Sequence, residues 1–397
     1  MENKRYLVLQ NSYSLAYSET AYYENNIEKH KEDIKDIRSY QEIAEVHKVN
    51  FYNNFLKKHF KNIAILTAAG TSLDNGSNSG KTRDSLWTYC QTEIDAFENI
   101  IPEFKDKPFY KAKDIESLLS YIILFEKVNE NIKSEIIKLR ENLELKIKEA
   151  CTLSLDETAP HKTFLDKITA RKPSDSRIQL FTTNYDTLFE QAANKGNFVI
   201  IDGFSFTQPR EFSGRFFDYD IVNREKTRIK HEESFITKVF HLYKLHGSLD
   251  WKKEKNKITQ QAEANYPLII YPANEKYESS YEQPYFEMMS RFQQSLRKEN
   301  TLLIVIGFGF QDKHIQNVII EAVEQNPSFQ LLIVSYNDEG GIKSNYLDSF
   351  FLDSTNMYVK RNVTIVFDTF SGFTKNYPEN KTYSNISTET AHETILS

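Results

Sequence analysis

The stretch Leu180-Phe-Thr-Thr-Asn184-Tyr-Asp186 decides the fold, because it is a short apolar run that ends in a polar turn. Leu245-His246-Gly-Ser248 shows the same change from apolar to polar residues further along the chain. Apolar runs of this kind are typical of strands buried on both faces of a parallel sheet, and open α/β folds bind ligands beyond the carboxyl ends of such strands. We therefore predict that Asn184, Asp186 and His246 are delivered to the carboxyl edge of a sheet.

Further apolar runs alternate with helical patterns along most of the chain. The predicted strands cover residues 62–67, 178–183, 198–202, 239–245, 267–272, 301–306, 330–334 and 363–367. Strands that alternate with helices predict an α/β fold, because parallel neighbours need helical crossovers. The expected architecture is Rossmann-like, a mostly parallel sheet with helices on both faces and an added helical insertion.

The predicted organisation has a central domain with additions at both ends. Residues 1–60 are predicted to form a helical arm, because Ile27 to Leu56 has loosely helical apolar spacing without glycine or proline; this arm either packs on the main domain or serves oligomerisation or partner binding. Residues 61–375 form the main domain, with a helical insertion at about 105–175 and a lid at 205–240. Residues 114–150 within that insertion predict an antiparallel helical pair. Residues 376–397 are poor in apolar residues and predict a disordered tail.

Composition excludes several classes of protein. A chain of 397 residues, 40% hydrophobic and 13% aromatic, can bury a large core. Its 50 basic and 56 acidic residues give a net charge of −6, which offers no broad cationic surface for a phosphate backbone. We therefore expect a folded protein that does not bind nucleic acid directly.

The cysteine content and the absence of long apolar runs predict a cytoplasmic protein. Cys90 and Cys151 are the two cysteines, and their spacing supports neither a disulfide framework nor a zinc site. We expect no metal. The first ten residues lack the apolar core of a signal peptide, and no run reaches the roughly 18 apolar residues of a membrane span. We expect no membrane association.

Glycines are concentrated in the loops that follow the predicted strands. The chain has twelve glycines, and six of them lie in such loops: Gly70, Gly76, Gly80, Gly247, Gly307 and Gly309. A strand that leads directly into small residues lets backbone N–H groups approach a pyrophosphate closely. Such loops also serve as simple turns, so one of them alone is a weak indication, and their concentration favours ligand binding.

Five segments occur in a fixed order, namely AAGTS, GKTRDSLW, TTNYD, LHGS and GFGFQDKHI. Together they resemble the sirtuin superfamily, and specifically the sirtuin-like, NAD-hydrolysing domains of bacterial antiphage defence systems. The resemblance covers roughly residues 60 to 340 and is closest to members that work with a HerA-type ATPase. It implies a Rossmann-like fold and NAD as the substrate.

The resemblance also implies roles for individual residues. Asn184, Asp186 and His246 stand at the positions of the family's catalytic groups. Ala68 replaces the usual first glycine of the first loop, and Asn337 matches the asparagine that reaches the adenosine ribose. The implied cofactor-binding residues are Ala68, Ala69, Gly70, Thr71, Ser72, Arg83, Thr183, Gly247, Gly307, Phe308, Gly309, Asp312 and Asn337. His314 is interpreted as a structural or helix-capping residue.

The three catalytic candidates also suit the chemistry of NAD cleavage. The nicotinamide leaves as a neutral molecule and the ribose becomes oxocarbenium-like. Asn184 can position the ribose or a water, and Asp186 can fix that arrangement or stabilise positive charge. His246, with an ordinary pKa near 6.5, can accept a proton from water or from a ribose hydroxyl.

Hydrolysis of NAD is the predicted reaction, with several alternatives left open. Sirtuin deacylases normally add a module with four zinc-binding cysteines, which two cysteines cannot supply. The alternative from another class is a non-catalytic NAD or ADP-ribose sensor that gates a partner; ADP-ribose transfer, cyclisation and NAD-dependent deacylation are further alternatives. The resemblance implies a partner ATPase of the HerA type, and we expect a homo-oligomer. The trigger, the oligomer size and the form of the product are not specified by the sequence.

Overall fold

The computed structural model describes residues 4–31, 36–98, 100–129, 133–172, 174–222, 236–261, 267–269, 283–336 and 360–379. In chain order, the strands of these ranges are β1 Arg5–Gln10, β2 Tyr13–Tyr17, β3 Tyr22–Glu24, β4 Ile27–Lys29, β5 Asn62–Thr67, β6 Gln179–Thr182, β7 Val199–Ile201, β8 Arg210–Glu211, β9 Val239–Lys244, β10 Gly247–Ser248, β11 Trp251–Glu254, β12 Lys257–Gln260, β13 Leu268–Ile269, β14 Thr301–Ile306, β15 Gln330–Ser335 and β16 Val363–Phe367.

The α-helices of the same ranges are α1 Tyr40–Leu56, α2 Ala69–Leu73, α3 Arg83–Tyr89, α4 Gln91–Asp95, α5 Pro108–Lys111, α6 Ile115–Val128, α7 Lys133–Cys151, α8 His161–Thr169, α9 Leu188–Lys195, α10 Tyr285–Leu296, α11 Lys313–Gln325 and α12 Phe370–Asn376. Among the helices of the described residues, none is long and apolar enough to cross a membrane.

A large mixed sheet organises the described residues, and its parallel part confirms the predicted α/β, Rossmann-like fold. The strand order is β4-β3-β2-β1-β16-β15-β14-β5-β6-β9-β7, and all pairs from β16 to β7 are parallel. Strands β14 and β16 are buried along their whole length, as expected for continuous apolar runs covered on both faces.

The chain changes direction at the centre of the sheet. From β5 it adds β6 and β9 on one side, and it then crosses to β14 on the other side of β5. A crevice at the carboxyl ends of the strands forms where the strand order reverses in this way, and open α/β folds bind ligands there. The loops after β5, β6, β9 and β14 therefore converge on one edge.

The two faces of the sheet have separate hydrophobic cores. One core includes side chains of α1, α8, α9 and α12, such as Tyr52, Phe164 and Phe373. The other includes side chains of α10 and α11, such as Phe292 and Ile319. Helices thus cover both faces, as the sequence predicts.

The first sixty residues do not form the predicted helical arm. Strands β1 to β4 are antiparallel and extend the sheet beyond β16. Asn25 and Asn26, between β3 and β4, have φ angles of 52° and 62°. This left-handed pair is typical of a two-residue hairpin turn, which helical spacing alone does not indicate. The part that is helical is α1, which Ser39 and Glu42 begin with a reciprocal capping box.

The helical insertion lies earlier in the chain than predicted. Residues 83–151 contain helices α3 to α7, whose buried side chains form a third core around Trp87, Phe104 and Leu118. We call residues 83–151 the helical subdomain. Helices α6 and α7 correspond to the predicted helical pair. Helix α8, which the prediction placed in the insertion, packs on the sheet through Phe164 and Leu165 instead.

The predicted lid and tail differ from the structure at their boundaries. Within the lid range, β8 pairs with β12, and β9 begins at Val239 inside the main sheet. Residues 223–235 lie outside the described residues. The predicted tail starts within α12, and Tyr377 after it is 5% exposed and packs in the sheet core. Residues 380–397 lie outside the described residues.

Candidate functional site

The two glycine loops touch each other at the carboxyl ends of β5 and β14. The Gly70 N–H donates a hydrogen bond to the Gly307 carbonyl oxygen at 3.2 Å. A Cβ atom added to Gly70 would lie 2.5 Å from the Gly307 Cα, and Gly307 has a φ of +67°. Side chains at either position would force the loops apart, so this contact requires glycine.

The Asn184 side chain joins the turn after β6 to the first glycine loop. Its Nδ2 donates to the Ala68 carbonyl at 3.0 Å, to Thr71 Oγ1 at 3.1 Å and to Ser72 Oγ at 2.8 Å. The Thr183 N–H donates to the Thr67 carbonyl at 3.0 Å. Asn184 is therefore held in one orientation by the loop that the sequence assigns to the nucleotide.

Asp186 is buried beside Asn184, with both carboxylate oxygens bonded to protein donors. Ser72 Oγ donates to one oxygen at 2.5 Å, and the Leu188 N–H at the start of α9 donates to the other at 3.1 Å. These contacts indicate that Asp186 fixes the turn and the first loop relative to each other.

A buried lysine supports the same turn, and the sequence analysis missed it. Lys244, the last residue of β9, is 2% exposed. Its Nζ donates to the Tyr185 carbonyl at 3.2 Å, the Asp186 carbonyl at 2.5 Å and Glu190 Oε1 at 3.0 Å. Burial raises the pKa of Glu190 to about 7, although the charge of Lys244 opposes this rise. The position of this lysine within an apolar strand indicates a buried amine, and a buried amine needs oxygen partners.

His246 lies between two carboxylates and is 5% exposed. Its Nε2 lies 3.0 Å from Asp312 Oδ2, and its Nδ1 lies 3.8 Å from Glu116 Oε1. Burial lowers the pKa of His246, but the hydrogen bond with Asp312 and the charges of Glu116 and Asp312 outweigh burial and raise it. The imidazole is thus oriented by Asp312, as in the His–carboxylate pairs of many active sites.

Asp312 has two structural tasks besides its predicted place at the nucleotide. Its Oδ1 caps α11 by accepting from the His314 N–H at 2.8 Å and the Ile315 N–H at 3.2 Å. Burial raises the pKa of Asp312, but its hydrogen bond with His246 and the charge of that histidine outweigh burial and lower it. His314 lies in the first turn of α11 with an exposed side chain, and the cap of this helix is Asp312, not His314.

Glu116 and Tyr185 complete the surroundings of His246. The Tyr185 hydroxyl donates to Glu116 Oε1 at 2.8 Å. Burial raises the pKa of Glu116, whereas His246 and Tyr185 oppose the rise. The sequence analysis placed neither residue in the site, because Glu116 belongs to the helical subdomain and approaches His246 through tertiary structure alone.

A cavity of about 300 Å³ opens between these groups. The predicted site residues that line it are Ala68, Ala69, Ser72, Arg83, Thr183, Asn184, Asp186, Gly307, Gly309 and Asp312. The helical subdomain adds Leu86, Asp114, Ile115, Glu116 and Ser117 to the lining. Arg83 Nη1 donates to Gln311 Oε1 at 2.7 Å across the entrance side formed by the two loops.

Other predicted residues lie outside this lining. Gly70 and Thr71 form the layer behind it, and His246 stands behind Glu116 and Asp312. Phe308 packs against the core beneath the second glycine loop. Gly247 has a φ of +84°, and an added Cβ would lie 2.1 Å from the Leu268 carbonyl oxygen, so this glycine permits the pairing of β10 with β13. Asn337 lies outside the described residues.

One protein-family model matches part of the chain. Residues 179–354 match the SIR2-like domain, a range that begins at β6 and includes Asn184, His246 and the second glycine loop. The first glycine loop and the helical subdomain precede the matched range. No curated protein matches the chain. The match supports a sirtuin-like domain with an NAD-related function, which agrees with the α/β fold and with the position of the cavity at the carboxyl edge of the sheet.

Proposed function

We propose that the protein is an NAD glycohydrolase, an enzyme that cleaves NAD to nicotinamide and ADP-ribose. One observation carries this proposal. The Asn184 amide and the His246–Asp312 pair lie at the same sheet edge as the Gly70–Gly307 contact, and one cavity is lined by Asn184, Asp312 and Gly307. The site therefore combines a loop suited to a dinucleotide with polar groups suited to a reaction at ribose.

The two glycine loops are the proposed binding site for the pyrophosphate and its riboses. Gly307 and Gly309 line the cavity, where the lack of a side chain lets the backbone of the second glycine loop come close to a nucleotide. Arg83 borders the cavity and supplies a positive charge near the phosphates. A dinucleotide bound there would direct its nicotinamide ribose towards Asn184.

Cleavage of the glycosidic bond requires few protein groups, because nicotinamide leaves as a neutral molecule. Asn184 positions the ribose or the attacking water, and the nearby Asp186 carboxylate favours the positive charge that develops on the ribose. His246, oriented by Asp312, is the proposed final acceptor of the proton that water releases. Water is the proposed acceptor of the ADP-ribosyl group.

Replacement of Asn184 with Ala tests the reaction. We expect the rate of nicotinamide release to fall by about 10²-fold or more, because the ribose or water loses the amide that positions it. Asn54→Ala, at an exposed position of α1, is the matched control and should retain full activity. Chromatography with mass detection of the products is the measurement. Equal activity of Asn184→Ala and wild type would refute the proposal.

The same measurement separates the alternatives. Binding of NAD without turnover would indicate a sensor module that gates a partner. A cyclic product or an ADP-ribosylated protein would indicate cyclisation or transfer, and NAD-dependent loss of an acyl group from a lysine peptide would indicate deacylation. The proposed hydrolase gives linear ADP-ribose and nicotinamide in equal amounts.

We further propose that this activity serves antiphage defence by depleting cytoplasmic NAD, under the control of a HerA-type ATPase. The support is the resemblance of the five ordered motifs to defence proteins of this kind. The proposed active form is a homo-oligomer. Light scattering should give a mass above that of one chain, with a further increase when the ATPase is added; a monomer at all concentrations with and without the ATPase would contradict this assembly.

A further inference from the structure

The position of His246 raises a question about how it could exchange a proton with substrate. The ring is 5% exposed and is not among the residues that line the cavity. Its Nε2 is held by Asp312, so Nδ1 is the nitrogen left for proton exchange. The atom that faces Nδ1 at 3.8 Å is Glu116 Oε1.

Glu116 stands between His246 and the cavity. Its side chain is 37% exposed, and it lines the cavity together with its neighbours Asp114 and Ser117. The Tyr185 hydroxyl donates to the same Oε1 atom at 2.8 Å. A molecule in the cavity can therefore touch Glu116 directly, and Glu116 in turn faces His246 Nδ1.

The first turn of α6 holds Glu116 in this place. Asp114 is the N-cap of the helix, and its carboxylate accepts from the Ser117 N–H at 3.1 Å and from Ser117 Oγ at 2.8 Å. Ile115 is 6% exposed and packs in the core of the helical subdomain. Glu116 is thus supplied by a rigid element and not by a mobile surface loop.

We propose that Glu116 is a catalytic residue, the acid–base group that meets the substrate and relays the proton of the attacking water to His246. This inference rests on the proposed hydrolysis of NAD. The water oxygen bonds to C1′ of the nicotinamide ribose, and the electron pair of the C1′–N bond leaves with nicotinamide. One water O–H bond breaks, and its proton passes to the Glu116 carboxylate and then to His246 Nδ1, from which solvent later removes it.

The surrounding charges suit such a relay. The ionisable groups that face Glu116 are His246, Tyr185, Asp114 and Asp312, and those that face His246 are Glu116 and Asp312. The hydrogen bond with Asp312 and the charges of Glu116 and Asp312 outweigh burial and raise the pKa of His246, which favours transfer of a proton from Glu116 to the imidazole. Asp312 then stabilises the imidazolium that forms.

The helical subdomain acquires a function from this arrangement. It contributes Glu116, the acid that faces His246 Nδ1 from the cavity, while the sheet and the loops that follow its strands contribute Asn184, His246 and Asp312. The catalytic group is therefore complete only when α6 is docked on the carboxyl edge of the sheet.

The test compares Glu116→Gln with wild type, His246→Ala and the double variant. Glutamine keeps the shape and the hydrogen bond with Tyr185 but cannot take up a proton. We expect NAD affinity to stay nearly unchanged in Glu116→Gln and turnover to fall by about 10²–10⁴-fold, the range for loss of an acid–base group. Because both residues serve one relay, the double variant should be no slower than the slower single variant. Glu135→Gln, at an exposed site at the start of α7, is the matched control.

A second readout follows the His246 ring by NMR as the pH is raised. Its pKa should fall in Glu116→Gln, because the negative charge that faces Nδ1 is removed. If the wild type is active, full or increased turnover of Glu116→Gln would refute the relay alone. The relay would also be refuted if the fold-losses of turnover in Glu116→Gln and His246→Ala multiplied in the double variant. A wild-type protein that binds NAD and releases no nicotinamide would refute the proposed hydrolysis, and the relay with it.

Discussion

Replacement of His246 with Ala is expected to lower NAD turnover by about 10²–10⁴-fold, the range for loss of a general acid–base group. The imidazole is the proposed final acceptor of the proton from water, and Asp312 Oδ2 holds it at 3.0 Å. NAD binding should persist, because the ring does not line the cavity. The measurements are initial rates of nicotinamide release and calorimetric titration with NAD.

His59→Ala is the matched control for that substitution. His59 lies before the start of β5, at the amino edge of the sheet, and its Nε2 lies 2.9 Å from Asp175 Oδ1. Its removal also deletes a histidine–carboxylate contact, but at a site remote from the cavity. Equal losses of turnover in the two variants would show that the effect of His246→Ala comes from general damage to the fold.

Comparison of wild type with His246→Ala also tests an expected dependence of stability on pH. The folded state raises the pKa of His246, because the hydrogen bond with Asp312 and the nearby carboxylates outweigh burial. The charged imidazole therefore stabilises the fold fully below the unfolded pKa of about 6.5, and this contribution is lost as the pH rises through the higher folded value. The unfolding free energy of wild type should fall over this pH window, and the fall should be smaller in His246→Ala. Urea denaturation at a series of pH values measures both curves; parallel curves would contradict the assignment.

The central strands could be predicted from the sequence because their signal is local. The bounds of β5, β14 and β16 agree with the predicted runs, since each is a mainly apolar segment in a sheet that helices cover on both faces. The carboxyl-edge position of Asn184 and His246 follows from the same pattern. Strands β1 to β4 escaped prediction because they are short and rich in tyrosine and charged residues, and because their hairpin turn uses asparagine in place of glycine.

The partners within the site could not be predicted, because sequence spacing does not show which side chains meet. Asp312 matches a nucleotide-binding position of the family, but in the structure its carboxylate holds His246, 66 residues away in the chain. Glu116 reaches His246 from a separate helical subdomain, and Lys244 becomes important only because the turn after β6 folds over its amine. Each of these contacts depends on elements that come together only in the folded chain.

Replacement of Gly70 or Gly307 with Ala is expected to cost about 1–3 kcal/mol of unfolding free energy, the range for overpacking of a tightly packed site. A Cβ at Gly70 would lie 2.5 Å from the Gly307 Cα, which is a backbone atom and cannot rotate away. A Cβ at Gly307 would meet the Gly70 Cα at 2.5 Å, and its φ of +67° adds strain of about 1–2 kcal/mol for an L-residue. Urea denaturation measures the loss.

The Gly309→Ala variant is the control that tests whether stability depends on the Gly70–Gly307 contact or on glycine anywhere in the second glycine loop. A Cβ at Gly309 would meet no heavy atom within 4 Å, so its unfolding free energy should stay within about 0.5 kcal/mol of wild type, as for ordinary surface substitutions. A similar loss of stability at Gly309 and Gly307 would show that the loop needs glycine for its backbone path. A loss of unfolding free energy confined to the Gly70 and Gly307 variants would show that the two loops must touch. The contact between the β5 and β14 loops would then be a condition for forming the cavity.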